Sequence, residues 1–532
     1  MNTFDYIVIG AGTAGCAVAS RLYYEGENYS VLVLESGTDE SGNSNIINTN
    51  QWWGLPLGRT NEYFWQLGHE VSPSGDFVPT QRNPIVVGQC LGGSSTVNGA
   101  QVVSGTAEYY NDLAAHLQDP DWSAINIAKE LKEMESFTGV PGQYNPQAHG
   151  YHGPINVRQG VLNPGVAELY ATTASEVLGI PRGDYNDLTN AACTFKYWQL
   201  TEYPDGTRVD SFGSYLRGNL MKKGNVYGTC PNEQGKRLKV VTKAFACNLV
   251  FDECENIVGV TALVDGVQAE FSCTRAVVLC LGIQSSLFLQ RNGIGKYEDL
   301  ERVGVDVLVD SPNVGYNIVN HCTLPLTGEP TTDNPLAELP LGYDAQAMYS
   351  GGCVYGSPYT QGRVIESIGL TNGDVVGEKP TSFTIYNFLL NQISKGYIRL
   401  YKSDPMRAPE YDFKYLSEEI DVKNLTYAYK RSFEVLKKMG LTPKTSSGAD
   451  APETDEGILD YIKKNYGQAY HWVGGCRMGT SICEGVVNSD GLVFGTNNLY
   501  VADASIFPES ALGNAQMNAY LAGNVIASKL LR

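Results

Sequence analysis

Long apolar runs are missing from these 532 residues. The longest, such as Val31–Leu34 and Ala276–Leu281, fall far below the ~18 residues of a membrane-crossing helix, so no transmembrane segment is expected. Basic residues are scarce: 38 Lys and Arg stand against 57 Asp and Glu, a formal charge of -19. A surface of that sign does not displace counterions from nucleic acid or settle on an anionic membrane, and neither is expected as a partner. The 12 cysteines form no C-x-x-C pair and no regular framework. No disulfide scaffold is implied, and no metal site is expected. Cys16, in a helix-like run, and Cys280, in a strand-like one, read as buried thiols, which favours a reducing compartment. The first strand starts at about Asp5 and leaves no room for a leader, so a cytoplasmic location is expected, or secretion if a leader has been trimmed. N-x-S/T triplets at Asn28 and Asn424 are compatible with secretion. Histidine is rare as well, with six in the chain.

What is present fits a globular protein: 42% of residues are hydrophobic and 18% charged. The length suits two domains better than one core. No internal repeat or low-complexity tract appears. The opening reads as strand Asp5–Gly10, helix Ala14–Glu25 and strand Ser30–Glu35. A second block of short apolar strands covers Val240–Thr242, Asn248–Phe251, Val258–Leu263 and Ala276–Leu281. A mixed segment, Thr381–Tyr415, precedes an amphipathic helix over Val422–Met439. Two polar, Pro-containing stretches, Gly328–Gly342 and Leu441–Gly457, are expected to carry the chain between domains. The last block, Tyr470–Arg532, ends in a helix with Met517, Leu521 and Val525 on one face.

Between the first strand and helix lies Gly10-Ala-Gly12-Thr13-Ala14-Gly15. Gly10 permits the tight turn, Gly12 lets backbone approach a pyrophosphate, and Gly15 lets the helix pack on the strand. N–H groups at the helix start then hold phosphates. Glu35, 20 residues past Gly15 and at the end of the second strand, is placed to accept from ribose hydroxyls, with Ser36 beside it. An acidic residue there disfavours a 2′-phosphate and hence NADP. This motif alone does not separate NAD from FAD.

Further along, Gly88-Gln-Cys-Leu91-Gly92-Gly93-Ser94-Ser95-Thr96-Val97-Asn98-Gly99 resembles the first signature of the glucose–methanol–choline (GMC) oxidoreductases, G-x-x-L-G-G-S-S-x-x-N. Three more matches follow in the family's order. Ser285-Ser286 through Asn292-Gly293-Ile294-Gly295 is similar to its second signature. Val314-Gly315-Tyr-Asn317-Ile-Val-Asn320-His321 resembles V-G-x-N-L-x-D-H. Ser394-Lys-Gly396-Tyr-Ile-Arg-Leu400 with Ser403-Asp404-Pro405 resembles S-R-G-x-V-x-L and its turn. The chain departs at Ser286 (usually proline), Asn292 (usually serine) and Asn320 (usually aspartate), and its small-residue pattern shifts at Leu281 and Gly282.

The resemblance implies an α/β fold: a Rossmann-like FAD-binding domain from residues 1–160, 210–320 and 460–532, and a substrate domain from 161–209 and 321–459 built on an antiparallel sheet with helices. It implies FAD held by Gly10, Gly12, Thr13, Ala14, Gly15, Glu35, Ser36, Gly88, Leu91, Gly93, Ser94, Asn98, Gly99, Ala246, Asp503, Ala504, Asn514, Ala515 and Gln516. Where some relatives attach the flavin covalently through histidine, this chain has Val97, so non-covalent FAD is expected. The family's catalytic histidine corresponds to His471 in His471-Trp-Val-Gly474-Gly475-Cys476, and its partner to Asn514, which also stands at the N-cap of the Asn514–Leu531 helix. An imidazole titrates near neutrality and suits the removal of a hydroxyl proton. The positive end of that helix is expected to face the flavin N1/C2=O edge, and Asp503 the ribityl or phosphate region. His321 is read as a structural corner.

The implied activity is oxidation of a small-molecule alcohol to a carbonyl by hydride transfer to flavin, with oxygen or another acceptor taking the electrons. A homodimer is one candidate assembly. The substrate face is expected on Asn163–Tyr203 and Thr323–Phe388, whose Tyr and Phe residues suggest an aromatic or other apolar primary alcohol. The alternatives are cyanohydrin cleavage of the hydroxynitrile lyase type, whose H-G-G-C wording the turn at His471 approaches, and a structural protein that keeps FAD as a relic.

Overall fold

The computed structural model describes every residue except 1, 48–63, 68, 72–76, 79–83, 161–164, 190–193, 197, 233–234, 255, 332–348, 373–380 and 404–407. Asp404, Pro405 and most of Gly328–Gly342 therefore lie outside the described residues.

Strand Thr3–Ile9 ends in Ile7, Val8 and Ile9, all buried, as a central strand covered on both faces must be. It runs parallel to Val31–Leu34 on one side and to Val267–Leu279 on the other, with Ile7 opposite both Leu32 and Val277. Leu238–Val241 extends the parallel set beyond Val31–Leu34, and Leu499–Val501 extends it beyond Val267–Leu279. Antiparallel strands Ile257–Val264 and Ala244–Phe251 complete one edge, and Val226–Gly228 and Met221–Lys223 the other. The chain thus returns to one sheet from three distant stretches. Because the strand order reverses at Thr3–Ile9, a crevice opens at the carboxyl end of that strand, where helix Thr13–Tyr24 begins.

The second sheet has the order Leu441–Lys444, Cys322–Pro330, Ser382–Leu389, Thr360–Asn372, Tyr349–Ser357, Thr194–Lys196 and Arg182–Gly183. It is antiparallel except for its last pair. Phe383, Ile385 and Leu389 face helices Val166–Leu178 and Glu419–Lys438, packing with Tyr170, Leu425 and Leu436. The opposite face, Ile368, Leu370, Tyr386 and Phe388, packs with Ala100, Trp198 and Leu200 next to the first sheet's crevice.

The structure corrects three expectations. The strand expected at Ala276–Leu281 runs from Val267 to Leu279, its first half in the antiparallel meander with exposed Val267, Gln268 and Glu270. Leu441–Gly457 is no crossing: Leu441–Lys444 is an edge strand paired with Thr327–Pro330, where Pro443 is tolerated. Asn424 cannot accept a glycan in the folded chain. It is fully buried, its Oδ1 accepting from Ser357 Oγ at 2.6 Å and its Nδ2 donating to Thr360 Oγ1 at 3.0 Å.

Candidate active site

The crevice is a cleft of ≈ 330 Å³ bounded by both sheets. At its inner end Gly10 has φ +100°, and a Cβ there would lie 2.6 Å from the Cys280 carbonyl oxygen. The helix that follows has Gly12 at its N-cap with no side-chain cap, so the first-turn N–H groups and the positive end of the helix are left for an anion. Gly12, Thr13 and Ala14 line the cleft. Gly15 does not: a Cβ on it would meet the Gly10 carbonyl oxygen at 1.9 Å, so it packs the helix on the turn. Glu35 and Ser36 line the cleft. The Glu35 carboxylate also ties two turns together, accepting from the Ala11 and Gly37 N–H groups at 2.8 Å each. Burial pushes its pKa up to about 6, and hydroxyl donors would favour its charged form. Ala246 borders a smaller cavity of ≈ 60 Å³ that shares Gly10, Glu35 and Ser36 with the main cleft.

Gly88, Gly93, Ser94, Asn98 and Gly99 line the cleft opposite that helix. Ser94 Oγ accepts from the Gly88 N–H at 3.2 Å. Leu91 is a correction: its side chain belongs to the hydrophobic core and does not line the cleft, because the one-turn helix Gly93–Thr96 carries the cleft-lining backbone past it. Asp503, Ala504, Asn514, Ala515 and Gln516 close the far wall. Asp503 pins the loop before helix Ser285–Arg291, accepting from the Gly282 N–H at 3.0 Å and from Ser285 Oγ at 2.6 Å. Burial raises its pKa. Asn98 donates to Gln516 Oε1, and its Oδ1 accepts from Arg208 Nη1 at 3.0 Å. This buried arginine behind the wall, brought from over a hundred residues away, carries no motif that would have marked it.

At the outer end stand His471 and Asn514. Strand Cys322–Pro330 and the residues before it hold the histidine: the His471 N–H donates to Asn320 Oδ1 at 2.8 Å. Tyr470, just before it, sits at φ +62°, a left-handed conformation that costs an aromatic residue about 1–2 kcal/mol and aims the next side chain. Nε2 of the imidazole lies 3.1 Å from Asn514 Nδ2, which also donates to Gln101 Oε1 at 3.2 Å. Asn514 occupies the N-cap of helix Ala515–Leu530, yet its side chain makes no cap hydrogen bond, so the amide is left for the cleft and the helix N–H groups stay open. Asn514 Oδ1 and Trp472 Nε1 are buried at the cleft and have no hydrogen-bond partner among the described residues, an acceptor and a donor that a bound molecule can satisfy.

His321 corrects the reading of it as a mere corner. Its Nδ1 lies 3.1 Å from Nδ1 of His471, and its Nε2 lies 2.7 Å from Ser510 Oγ. Complete burial lowers its pKa to about 3. The other histidines with described side chains lie elsewhere: His116 pairs with Glu484 on the surface, His149 is buried between Glu135 and Asp184, and His152 is exposed.

Of the expected substrate face, Ile368, Leu370, Tyr386 and Phe388 reach the cleft, and Phe388 lies nearly parallel to the His471 ring at 6.3 Å between centroids. No described residue of Asn163–Tyr203 lines it; Trp198 and Leu200 support it from behind. Val97, Ala100, Gln101 and Trp472 complete this part of the wall.

The chain matches known proteins along nearly its whole length. Two family models described as GMC oxidoreductase match residues 4–323 and 393–523. The oxygen-dependent choline dehydrogenase of Pseudomonas syringae pv. tomato is 27% identical over 560 residues, covering 99% of this chain and 94% of that protein. The one from Staphylococcus xylosus is 26% identical over 568 residues, covering 99% and 95%. Among solved structures, a variant of the formate oxidase of Aspergillus oryzae superposes with a TM-score of 0.84 at 21% identity, covering 99% of this chain and 98% of that one. A fungal aryl-alcohol oxidase superposes with a TM-score of 0.81 at 18% identity, covering 100% and 99%.

Proposed function

We propose that this chain, which belongs to the GMC oxidoreductase family and is an FAD-dependent oxidoreductase, converts an alcohol to its carbonyl with His471 taking the hydroxyl proton. The observation that carries this reading is the meeting of His471 Nε2 and the Asn514 amide, 3.1 Å apart, on the wall of a cleft whose other end is built for a dinucleotide. Gly12, Thr13 and Ala14 would hold the FAD pyrophosphate, Glu35 a ribose, and the Gly93–Asn98 turn the ring system. When bound, FAD supplies the hydride acceptor. His471 Nε2 accepts the hydroxyl proton, Asn514 holds the substrate oxygen without acting as a second base, and Ile368, Leu370 and Phe388 keep water from the carbon that loses hydride. The aromatic and aliphatic outer wall supports an apolar or aromatic primary alcohol as the substrate. Oxygen or another acceptor then reoxidises the enzyme.

The test is anaerobic mixing with a panel of alcohols, followed through the flavin spectrum, and then admission of air. Benzylic and other apolar alcohols are expected to bleach the flavin. Cleavage of a cyanohydrin with no bleaching by any alcohol would replace this reading by the lyase. Attachment of the cofactor is tested separately. Val97 stands on the cleft wall with no nucleophilic atom, which supports non-covalent binding. Acid precipitation is therefore expected to leave all yellow colour in the supernatant, and colour in the pellet means a covalent bond.

A further inference from the structure

Three side chains run inward from the cleft in single file: His471, His321 and Ser510. The distances are 3.1 Å between the two Nδ1 atoms and 2.7 Å from His321 Nε2 to Ser510 Oγ. Ser510 Oγ in turn lies 3.5 Å from the carbonyl oxygen of Gly513, the residue before Asn514. The rings of the two histidines cross at 84°, so each presents a nitrogen edge rather than a face. Both His321 and Ser510 are buried, the histidine completely.

A file of groups that each both donate and accept has two possible directions, and its ends choose between them. The inner end is a backbone carbonyl, which only accepts. Ser510 therefore gives its hydroxyl proton to Gly513 and presents a lone pair to His321. That lone pair calls for a proton on His321 Nε2, which leaves His321 Nδ1 bare. A bare Nδ1 calls for a proton on Nδ1 of His471, which leaves His471 Nε2 with its lone pair toward Asn514 and the cleft. The outer end agrees, because the Asn514 Nδ2 group donates to Nε2. Reversing the direction would set the Ser510 hydroxyl on His321, leave Gly513 unserved and put the resting proton of His471 on the nitrogen that must act as base.

We propose that Ser510 and His321 are positioning residues that lock His471 in the tautomer protonated on Nδ1, so that Nε2 is the base in the resting enzyme. This deepens the reading of His471 as the base and rests on it. His321 does not carry the proton onward. It is completely buried, and burial disfavours a second charge, so the proton taken up stays on His471 and leaves through the cleft.

The test has one arm without substrate and one with it. In the holoenzyme labelled with 15N-histidine, assigned by difference against His471→Asn, His471 is expected to resonate as a neutral ring protonated on Nδ1 and His321 as one protonated on Nε2. Ser510→Ala is expected to mix or reverse both tautomers and to lower kcat about tenfold or more with its FAD content unchanged, while Ser510→Thr, which keeps the hydroxyl, restores both. A resting proton on Nε2 of His471 overturns the proposal. So does a Ser510→Ala enzyme with parental tautomers and parental kcat, and so does a Ser510→Thr enzyme as impaired as the alanine variant, since packing alone would then explain the loss. Failure of every alcohol to bleach the parent sinks the proposed reaction but leaves the spectra to decide the tautomer.

Discussion

Replacing His471 by alanine is expected to lower kcat by about 10²–10⁴-fold while the protein keeps its FAD. The two halves of this expectation come from different parts of the cleft. The imidazole meets Asn514, His321 and the stacked Phe388 at the outer end, and the residues proposed to hold the dinucleotide lie at the inner one. The segment itself remains tethered, because the bond to Asn320 Oδ1 comes from the backbone N–H at 471 and survives loss of the ring. What disappears is the group that accepts the hydroxyl proton. The remaining neighbours cannot replace it: Asn514 is an amide, and His321, whose lone pair faces the vacated space, is completely buried, which disfavours the charge that taking up a proton would bring. Single-turnover bleaching under anaerobic conditions checks the result, since it isolates the reductive half from any effect on reoxidation. A variant that bleaches within a few-fold of the parent rate would sink the assignment of the base. A parent that never bleaches would favour the relic reading instead.

The Rossmann-like sheet was legible because its chemistry is local. Ile7–Ile9 and Val31–Leu34 are continuously apolar and are joined by one glycine-rich turn and one helix, so pattern and motif fall within 35 residues. The second sheet came from family resemblance, and its own sequence explains why. In Ser382–Leu389 one face packs under two helices through Phe383 and Ile385, and the other walls the cleft through Tyr386 and Phe388. The alternation begun by Ser382–Ile385 then fails, because polar Asn387 is buried on the helix-covered face, where it accepts from Ser432, while apolar Tyr386 and Phe388 stand on the other. Pro443 hid the edge strand Leu441–Lys444 for a related reason: proline reads as a break, and only position at the rim makes it acceptable.

The site shows the same division. His471 could be read from its own segment, but His321 is 150 residues away and the matching motif says nothing about what its ring touches. The change from the family's aspartate to Asn320 could be seen but not interpreted in sequence. In the structure Asn320 receives the backbone N–H of His471 and donates to Gln468 Oε1 at 3.1 Å. An aspartate could do the first and not the second, and would add a negative charge beside the two histidines. Asparagine therefore keeps this corner neutral while using both ends of its amide.

Gly12→Val is expected to yield a folded protein that has lost its yellow colour, with FAD affinity weakened by about 10²-fold or more. The glycines of the opening turn are not equivalent. A side chain at Gly10 would drive into the Cys280 carbonyl at 2.6 Å from a left-handed backbone, so that position is glycine for the sake of the fold alone. Gly12 has φ -81° and ψ -164°, which any residue can adopt, and the nearest atom to a Cβ built on it is the Gly93 Cα at an ordinary 3.8 Å. The protein leaves room for a Cβ there. Its absence is explained by what must approach the start of the helix: a phosphate in hydrogen-bond contact with the N–H groups of the first turn leaves no space for methyl groups. Thermal unfolding of the apoproteins and flavin titration separate the two effects. The valine variant should unfold within about 1 kcal/mol of the parent apoprotein and fail to take up FAD, whereas Gly10→Val should fail to fold. A Gly12→Val protein that binds FAD as its parent does would mean that the pyrophosphate does not lie against this turn, and the placement of the dinucleotide in the cleft would fall with it.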